Sequence, residues 1–340
     1  MMYKVALNFA DGKTLFCPVQ PNEILLDAAL KSGIKIPLDC REGVCATCQG
    51  RCESGSYTQD YVDEEALSKQ DLADRKILSC QTRVLSDASF YFDFDSTLCG
   101  STGTSELITT VTDVIQVSDS TAILKVELAS GAAPLNYLPG QYARLQVPGT
   151  GHSRSYSFAC APGSRTLEFL VRLLPSGVMT DYVRDRCKVG DIIKMEAPLG
   201  AFYLRHIDRP VLMVAGGTGL SAFLGMLDQL AEQGGAGFPV HLFYGVRTEQ
   251  DLCEIPRIEA YKSTIQAFDF TPVLSNAADD WQGKKGFIPE HLAPFEDSDS
   301  PFDLYMCGPP PMVESVKTWH MEKKLTFVRM YFEKFTESNT

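Results

Sequence analysis

The pattern of apolar and polar residues changes character twice along the chain. In the first part, alternating runs predict strands over 3–9 and 13–20, and amphipathic runs predict helices over 22–33 and 63–76. A stretch rich in Ser, Thr and Gly at 93–107 then predicts a linker. From there to about residue 204, strand patterns recur between Gly/Pro turns, at 106–117, 121–128, 140–147, 153–159, 167–174 and 191–197. Short strands at this spacing predict a small antiparallel barrel.

The final third alternates apolar strands with helices. Strands are predicted over 210–216, 239–245, 266–275 and 302–308, and helices over 220–234 and 310–324. A repeated strand–helix order is typical of a doubly wound parallel sheet with crossover helices. The pattern therefore predicts a multidomain α/β protein with domains at 1–98, 107–205 and 206–340.

Composition narrows the functional classes. The 340 residues include 31 basic and 43 acidic side chains, a net charge of −12, which argues against binding to nucleic acid or to an anionic membrane. The start lacks the basic and apolar segments of a signal peptide, and the longest apolar run, 211–227, is interrupted by glycines. We expect a soluble cytoplasmic protein whose eleven cysteines are thiols and metal ligands more than disulfides.

Four cysteines have an informative spacing. Cys40, Cys45 and Cys48 lie in one loop, and Cys80 follows after 31 intervening residues. Structural zinc sites usually come as two close pairs, whereas three ligands in one loop and a distant fourth is the plant-type [2Fe–2S] spacing. The spacing works without Cys52, which we leave outside the ligand set.

Small residues between these cysteines support the cluster. Gly43, Ala46 and Gly50 allow backbone N–H groups to turn toward the sulfides. A zinc ion and buried free cysteines stay open as alternatives. Residues 3–95 resemble the plant-type ferredoxin family, and this resemblance implies a β-grasp-like fold.

A second motif lies in the barrel segment. Along 152–162, Arg154 and Tyr156 share one face of a predicted strand, and Ser155 and Ser157 share the other. Downstream, Gly177-Val178-Met179-Thr180 opens a predicted helix whose free N–H groups and hydroxyl can receive a pyrophosphate. A cation, an aromatic wall and a small hydroxyl suit a ligand with a diphosphate and a flat ring.

These two elements are similar to those of the ferredoxin–NADP reductase superfamily, and the similarity extends over 107–335. It implies that the barrel binds a flavin, usually FAD. Arg154 would pair with the diphosphate, Tyr156 would pack on the ring system and Ser157 would lie by the reactive nitrogen. The residues from Gly177 to Thr180 would cap the diphosphate.

The third motif is a pair of glycine turns. Gly216, Gly217, Thr218 and Gly219 join a strand to a helix and let the backbone approach a diphosphate. A tight connection in an α/β sheet is the alternative explanation of a single such turn.

A second glycine turn near the end of the sheet favours a nucleotide-binding role over a simple tight connection. Cys307 and Gly308, followed by Pro309 and Met312, lie about ninety residues later. The same superfamily uses such a pair for a pyridine nucleotide, and the resemblance implies that Cys307 lies beside the nicotinamide.

Charge after the second strand of the sheet indicates which nucleotide binds. Arg247 is accompanied by Glu249, Asp251 and Glu254, and a carboxylate suits the 2′-hydroxyl of NADH better than the 2′-phosphate of NADPH. In the superfamily an aromatic near the C-terminus often covers the flavin. Phe335 is the candidate, with Glu333 as a polar contact, and an ordinary packed tail is the alternative. The catalytic candidates are thus Ser157, Cys307 and Glu333.

The three parts together predict an electron-transfer enzyme. NADH gives up two electrons as hydride and a [2Fe–2S] cluster takes one, so a flavin belongs between them. The domain order resembles the reductase components of bacterial aromatic-ring oxygenases, especially the benzoate 1,2-dioxygenase reductase type. This resemblance implies a Rieske-type terminal oxygenase as the electron acceptor. The acidic stretch 60–74 could dock it or be a solvated helix.

Two alternatives stay open. The reductase of a di-iron phenol, toluene or methane monooxygenase shares all three motifs. A non-catalytic module that binds zinc through its cysteines and a nucleotide through its α/β part belongs to a different class.

Overall fold

The chain forms two compact units in the computed structural model, which describes residues 2–100, 105–296 and 301–335. One unit comprises Met1–Thr104 with Leu199–Ala201, and the other comprises Ser105–Pro198 with Phe202–Thr340. The predicted linker at 93–107 is only partly described. Within it, a 3-10 turn at Ser96–Cys99 buries Ser96 and Cys99 in the first unit, and 101–104 lie outside the described residues.

The first unit is built on a mixed five-stranded sheet. Its elements are β1 Tyr3–Phe9, β2 Thr14–Val19, α1 Leu25–Lys31, β3 Gln49–Ser54, β4 Tyr57–Gln59, α2 Lys69–Ala73, β5 Lys76–Leu78, β6 Thr82–Val84 and β7 Ala88–Phe92. The strand order is β2-β1-β7-β3-β5, with β1 and β7 parallel, and β4 pairs with β6. Helix α1 buries its apolar face, including Leu25 and Ala29. The predicted β-grasp-like fold is confirmed.

The second predicted helix is shorter than its pattern indicated. Only α2 is helical, because Ser68 starts it with a capping box. The Ser68 hydroxyl accepts a hydrogen bond from the Asp71 N–H, and the Asp71 carboxylate accepts one from the Ser68 N–H. Residues 63–67 therefore lie in a turn that precedes the helix.

The barrel occupies the first part of the second unit. Its elements are β8 Ser105–Ser118, β9 Thr121–Leu128, β10 Tyr142–Gln146, β11 Ser153–Ser157, β12 Thr166–Arg172, α3 Val178–Asp185 and β13 Ile192–Leu199. The antiparallel order β11-β10-β13-β8-β9-β12 closes through a bridge between Phe158 and Phe169. Both rings are fully buried in its core, as expected for a small barrel filled by side chains.

The rest of the second unit is a six-stranded parallel sheet. Its elements are β14 Val211–Gly216, α4 Leu220–Glu232, β15 Val240–Val246, α5 Ile255–Thr264, β16 Phe268–Leu274, β17 Lys284–Lys285, β18 Phe302–Gly308, α6 Pro310–Glu322 and β19 Val328–Lys334. The order is β17-β16-β15-β14-β18-β19. The central strands β14 and β18 are buried along their whole length, which explains their unbroken apolar sequences.

Helix α5 and two strands of this sheet, β19 and the two-residue β17, were not predicted. Helix α5 buries only Ile258 and Tyr261, which is too few apolar positions to stand out in the sequence. Strand β19 is an edge strand of intermediate burial with Arg329, Glu333 and Lys334 in its sequence. Charged residues are common on edge strands and hide the apolar pattern.

The barrel and the parallel sheet share a hydrophobic core. Ile123, Ala159 and Leu170 of the barrel segment pack in one cluster with Phe223 and Leu227 of α4. This shared core explains why the two halves form a single compact unit. No helix within 2–100, 105–296 and 301–335 is long and apolar enough to cross a bilayer.

Candidate functional site

The four predicted cysteine ligands lie as two pairs in the first unit. The Sγ atoms of Cys40 and Cys45 are 3.1 Å apart, and the Cys48 and Cys80 thiols hydrogen-bond to each other. Cys48 and Cys80 are buried, while Cys40 and Cys45 are partly exposed. Two thiol pairs match a centre with two irons, each held by two thiolates. Among the described residues no three Cys, His, Asp or Glu side chains converge as a single-ion site requires.

The polar surroundings of the first pair favour a thiolate. The pKa of the Cys40 thiol is lowered to about 5, mainly because of its hydrogen bond with the Cys45 side chain. Burial opposes this effect, and backbone N–H groups add to it; that of Glu42 lies 3.3 Å from the Cys40 Sγ. Thiolates that accept backbone N–H bonds are the donor set of an iron–sulfur cluster, so these residues fit it.

The loop conformation depends on left-handed backbone at three positions. Arg41, Gly43 and Ala46 have φ values of 60°, 81° and 59°. A Cβ on Gly43 would lie 2.4 Å from the carbonyl oxygen of Tyr61, so only glycine fits there. These turns direct successive N–H groups to one side, which is the geometry that an anionic cluster needs.

Gln81 links the distant ligand to the loop, and this residue was not predicted. Its side-chain amide donates to the carbonyl of Arg41 at 2.8 Å and lies 3.7 Å from the Cys80 Sγ. Its amide oxygen accepts from the N–H of Tyr61 at 3.3 Å. A Gln directly after a ligand cysteine is the only local signal, and it has no characteristic spacing.

The predicted flavin strand lies on β11, beside β10. Ser157 pairs with Tyr142 and Arg154 pairs with Leu145 in the antiparallel register. Ser155 is exposed and Arg154 is half-buried, with its guanidinium donating to the carbonyl of Ser153 at 2.8 Å. Tyr156 is half-buried against the barrel core, and burial raises its pKa.

Ser157 provides a test of whether a ligand belongs here. Its side chain is only 2% exposed, and its Oγ has no hydrogen-bond partner among the described residues. A buried hydroxyl without a partner costs about 1–3 kcal/mol. A ring nitrogen of a bound flavin would satisfy it, so this strand fits the predicted cofactor.

At the start of the helix after Gly177, backbone N–H groups are available to a ligand, whereas the side chains of Met179 and Thr180 are buried in the protein. Met179 is buried in the barrel core. The Thr180 hydroxyl donates to the carbonyl of Arg172 at 3.1 Å and accepts from the N–H of Leu174 at 3.3 Å. The first N–H groups of a helix have no partner within it, so Val178, Met179 and Thr180 offer backbone donors to a diphosphate. Because the Thr180 hydroxyl already donates its proton to Arg172, it is not available for the donation to a phosphate that the sequence led us to expect.

The two predicted glycine turns meet at the end of the parallel sheet. Strands β14 and β18 are neighbours, with Ala215 opposite Cys307. A Cβ on Gly219 would lie 2.1 Å from the Cys307 carbonyl oxygen, and one on Gly308 would lie 2.9 Å from the Cα of Gly216. The glycines are therefore needed for the contact between the turns as well as for any ligand.

Pro309 and Met312 complete this contact. A Cβ on Gly216 would lie 2.6 Å from the Met312 Sδ and 2.8 Å from the Pro309 Cδ. The carbonyl of Thr218 accepts from the Ser221 hydroxyl at 2.9 Å, which fixes the first turn of α4. The turn thus opens at a helix N-terminus, where an anionic phosphate is favoured.

The remaining nicotinamide candidates lie on neighbouring strands. Cys307 is fully buried, and burial, with a contribution from the charge of Glu333, raises the pKa of its thiol. Glu333 is opposite Cys307 in the β18–β19 register. Phe335 follows the end of β19, where its N–H donates to the Gly308 carbonyl at 2.9 Å. All three therefore surround the second glycine turn.

The acidic residues that follow Arg247 after β15 differ in their contacts: two are held by neighbouring side chains and one is exposed. Asp251 accepts from the Thr248 hydroxyl at 2.8 Å and from the Ser120 hydroxyl of the barrel at 2.6 Å. Glu254 pairs with Arg257 on α5. Arg247 and Glu249 are exposed, so Glu249 is the carboxylate left at the surface of this loop.

Arg172 is a further residue that the sequence did not single out. Its Nη1 lies 4.0 Å from the position that a Cβ on Gly217 would occupy, so its cation is close to the first glycine turn. Arg172 ends β12 and is exposed. A guanidinium at this place can bind a phosphate oxygen.

Comparison with known protein families divides the chain into three matches. Residues 8–85 match a 2Fe-2S iron-sulfur cluster binding domain, residues 109–203 an oxidoreductase FAD-binding domain and residues 213–318 an oxidoreductase NAD-binding domain. The cysteine pairs, Ser157 and the glycine turns fall inside the respective matches. The cofactors are therefore a [2Fe–2S] cluster, FAD and NADH, and the zinc alternative is excluded.

Relatives match over the full length. The chain is 57% identical to the anthranilate 1,2-dioxygenase electron transfer component of Acinetobacter baylyi, covering 100% of this chain and 99% of the relative. It is 39% identical to the toluate 1,2-dioxygenase electron transfer component of Pseudomonas putida, covering 99% and 100%. Identity to the phenol 2-monooxygenase reductase component of a Pseudomonas species is 30%, covering 93% and 90%.

Solved structures share the fold. The Amycolatopsis reductase GcoB is 32% identical with a TM-score of 0.71, covering 98% of this chain and 99% of its own. The ferredoxin reductase in carbazole 1,9a-dioxygenase is 24% identical with a TM-score of 0.68, covering 99% of both chains.

Proposed function

Because the chain belongs to the family of iron–sulfur flavoprotein reductases that includes the electron transfer components of aromatic-ring dioxygenases, we propose that it reduces the terminal oxygenase of such a system. The single observation that carries this proposal is the full-length match, at 57% identity, to a relative named for anthranilate 1,2-dioxygenase. The chain itself is an NADH-dependent oxidoreductase with FAD and a [2Fe–2S] cluster. What is proposed is the acceptor and the role of each residue.

We propose a Rieske-type oxygenase acting on an aromatic carboxylate as the acceptor. The dioxygenase relatives named for anthranilate, toluate and 2-halobenzoate are 57%, 39% and 38% identical. The phenol monooxygenase reductase is 30% identical. The higher sequence identity to the dioxygenase components favours a dioxygenase over a monooxygenase as the electron acceptor.

The proposed residues divide among the three cofactors. Cys40, Cys45, Cys48 and Cys80 hold the cluster, and Gln81 orients the last of them. A bound FAD supplies the step between a two-electron donor and a one-electron acceptor. For the flavin, Arg154, Ser155, Tyr156 and Ser157 line the ring and diphosphate, and the N–H groups from Gly177 to Thr180 face the diphosphate.

The nucleotide residues come from both glycine turns. Gly216, Gly217, Thr218, Gly219, Gly308, Pro309 and Met312 form the backbone floor of the site. Arg172 binds a phosphate oxygen, and Arg247 and Glu249 face the ribose. Cys307, Glu333 and Phe335 surround the nicotinamide and keep water away from it, which favours hydride transfer through positioning. The proposed domains are 1–98, 107–205 and 206–340.

The visible spectrum of the purified protein, before and after anaerobic NADH, tests the electron path. We expect iron–sulfur and flavin bands that both bleach within the mixing time of a manual experiment. Replacement of Ser157 by alanine should slow flavin reduction while leaving the iron content unchanged. A flavin that bleaches in a protein whose cluster bands do not would contradict the path.

Reconstitution tests the acceptor. The purified chain is mixed with NADH and either an anthranilate- or benzoate-type dioxygenase or a phenol monooxygenase, and product formation is measured. We expect turnover with the dioxygenase and a rate at least about tenfold lower with the monooxygenase. The reverse order of rates would assign the chain to the monooxygenase class.

A further inference from the structure

Charged side chains cluster where the barrel meets the parallel sheet, inside the second unit. Arg257 of α5 is at the centre, and Glu168 of β12, Asp228 of α4 and Glu254 pair with it. The cluster borders a cleft of 440 Å³ between the two halves. Arg257, Glu168 and Asp228 belong to none of the cysteine, flavin or nucleotide motifs, and Glu254, one of the carboxylates after β15, is held here by Arg257.

Arg257 uses its whole guanidinium in this cluster. Its five polar contacts are Nε to the Tyr261 hydroxyl at 3.0 Å, Nη1 to Glu168 at 3.1 Å and Glu254 at 3.3 Å, and Nη2 to Asp228 at 2.6 Å and the Ala159 carbonyl at 2.8 Å. A guanidinium has five N–H donors in a fixed planar fork. A lysine has three donors on a flexible stem and cannot reproduce this arrangement.

Two of these contacts cross from the sheet to the barrel. Glu168 is on β12, and Ala159 lies two residues after Ser157, just beyond the end of the strand that we assign to the flavin. The contact to the Ala159 carbonyl therefore fixes the main chain close to the proposed flavin contact.

The contact to Asp228 reaches the nucleotide side. Asp228 is on α4, and the Gly217–Gly219 turn leads directly into that helix. One guanidinium thus joins the flavin strand to the helix that carries the nucleotide turn. The same helix also packs closely on that strand, because a Cβ on Gly225 would lie 2.8 Å from the Cys160 carbonyl oxygen.

The side chains of this cluster are partly buried, so their ion pairs are stronger than pairs on the surface. The side chains of Arg257, Glu168 and Asp228 are 23%, 20% and 23% exposed. Ion pairs at this depth are less screened than those on the surface, and several shared hydrogen bonds hold them in one arrangement. Hydride transfer is sensitive to such an arrangement, since a displacement of about 1 Å can reduce a rate by about a hundredfold.

We propose that Arg257 is a positioning residue, which clamps the nucleotide-binding sheet to the flavin-binding barrel and so sets the approach of the nicotinamide to the flavin. This inference rests on the proposed function, because the two ligand sites are those assigned above. Arg257 touches neither ligand and acts through Ala159, Glu168 and Asp228.

Two variants test the clamp. Arg257→Lys keeps the positive charge but removes the planar guanidinium and its five N–H donors. Glu168→Gln weakens the barrel contact, together with the pair that Glu168 makes with Lys125 of β9, while Asp228 and Glu254 still neutralise Arg257 and the sheet keeps its own pairs. Lys262→Gln is the matched control, because Lys262 is a cation on the same helix that pairs only with Glu259 and Asp269 of the sheet half among the described residues.

The measurement uses the full-length protein with FAD and its cluster. Stopped-flow absorbance gives the rate constant of flavin reduction at saturating NADH, and calorimetry gives the dissociation constant of NAD⁺. We expect Arg257→Lys to lower the rate constant by about tenfold and Glu168→Gln by about threefold. The NAD⁺ dissociation constant and FAD content should stay within about twofold of the wild type. Lys262→Gln should match the wild type in every quantity.

Hydrogen–deuterium exchange supplies a readout that is independent of turnover. The N–H of Ala159 donates to the Glu168 carbonyl at 2.8 Å, so its exchange reports how firmly this strand is held. We expect faster exchange at 157–160 in Arg257→Lys and no change in Lys262→Gln.

Two outcomes would overturn the clamp. One is an unchanged rate constant in both variants, and the other is a rate loss matched by equal losses of FAD, NAD⁺ affinity and thermal stability. A wild-type protein that binds no FAD or is not reduced by NADH would overturn the proposed function, and the clamp with it. That failure is visible before any substitution is made.

Discussion

At the scale of the residue, local contacts decide which of several plausible side chains is available for chemistry. Around Arg247 the sequence offers three carboxylates, yet Asp251 is engaged by Thr248 and Ser120 and Glu254 by Arg257. The Ser120 partner lies in the distant turn between β8 and β9 and cannot be predicted from spacing, whereas Thr248 and Arg257 lie only three residues from the carboxylates that they engage. Glu249 is the carboxylate that remains exposed beside Arg247.

The preference for NADH should therefore depend on Glu249. Glu249→Lys replaces a partner of a ribose hydroxyl by a partner of a 2′-phosphate. We expect the ratio of kcat/KM for NADPH to that for NADH to rise by about tenfold, as one charge-assisted hydrogen bond implies. Steady-state kinetics with ferricyanide as acceptor measures the ratio.

The control for this substitution is Glu259→Lys, an equal charge change on the exposed side of α5. It should leave the nucleotide ratio unchanged. An equal shift in both variants would mean that overall charge, and not the position of Glu249, selects the nucleotide.

Gln81 gives a second prediction at this scale. Gln81→Leu removes the amide that links the Cys80 side to Arg41 and Tyr61. Loss of such an outer partner typically lowers metal affinity by about 10–100-fold. We therefore expect faster loss of iron to a chelator, followed by the decay of the cluster absorbance. Gln70→Leu, on exposed α2, should lose iron at the wild-type rate; equal rates in all three proteins would contradict the role.

At the scale of the element, the position of helix α4 relates the nucleotide turn to the flavin strand. Gly225 faces that strand, with its Cβ position 2.8 Å from the Cys160 carbonyl oxygen and 2.9 Å from that of Phe158. The sequence shows only a glycine inside an apolar helix, where alanine would ordinarily be favoured by about 0.5–1 kcal/mol. The strand that requires the glycine is about sixty-five residues away in the chain.

Gly225→Ala should therefore destabilise the protein despite its better helix propensity. The new methyl group meets backbone atoms that cannot move aside, and overpacking of this kind costs about 1–3 kcal/mol. Urea unfolding of the full chain, followed by flavin fluorescence, measures the free energy of unfolding. Gly151→Ala has no neighbour within 4 Å and should change it little. A stabilised Gly225→Ala protein would show that α4 has room to move.

At the scale of the whole molecule, charge and domain order suit a protein that delivers electrons to a partner. The net charge is −12, and the 60–74 stretch holds six of the acidic residues with one lysine. Part of this stretch lies against the cluster loop, where the Asp63 N–H donates to the Gly43 carbonyl at 3.0 Å. Acidic residues beside a cluster can steer a basic partner to it.

Reversing this charge tests the docking idea. With Asp63, Glu64 and Glu65 all replaced by lysine, we expect reduction of the oxygenase to slow by about tenfold at low ionic strength. The difference should shrink as salt screens both proteins. Flavin reduction by NADH should be unchanged, which separates docking from internal transfer.

A matched variant with Asp279 and Asp280 replaced by lysine alters charge in the nucleotide-binding half instead. It should reduce the oxygenase at the wild-type rate. Identical salt dependence in the reversed and wild-type proteins would mean that 60–74 is simply a solvated surface.

The class of each part and the identity of its motifs follow from the amino-acid sequence alone. Local patterns can be recognised without knowledge of the fold. They include the cysteine spacing, the strand with Arg154 and Ser157, and the two glycine turns. The strands of the barrel and of the sheet centre were likewise predicted, because their burial leaves continuous or alternating apolar residues. Helix α5 and edge strand β19 were missed because few of their residues are buried.

The tertiary structure decided which residues are brought together. It joined the two glycine turns through neighbouring strands, withdrew Asp251 and the Thr180 hydroxyl into other contacts, and assembled Arg257 with partners from β12, α4 and the flavin strand. Apart from the contact of Thr180 with Arg172, which lies eight residues away, these relations span about 30 to 130 residues of chain. They follow from packing between elements, which depends on the whole fold and leaves no periodic signal in the sequence.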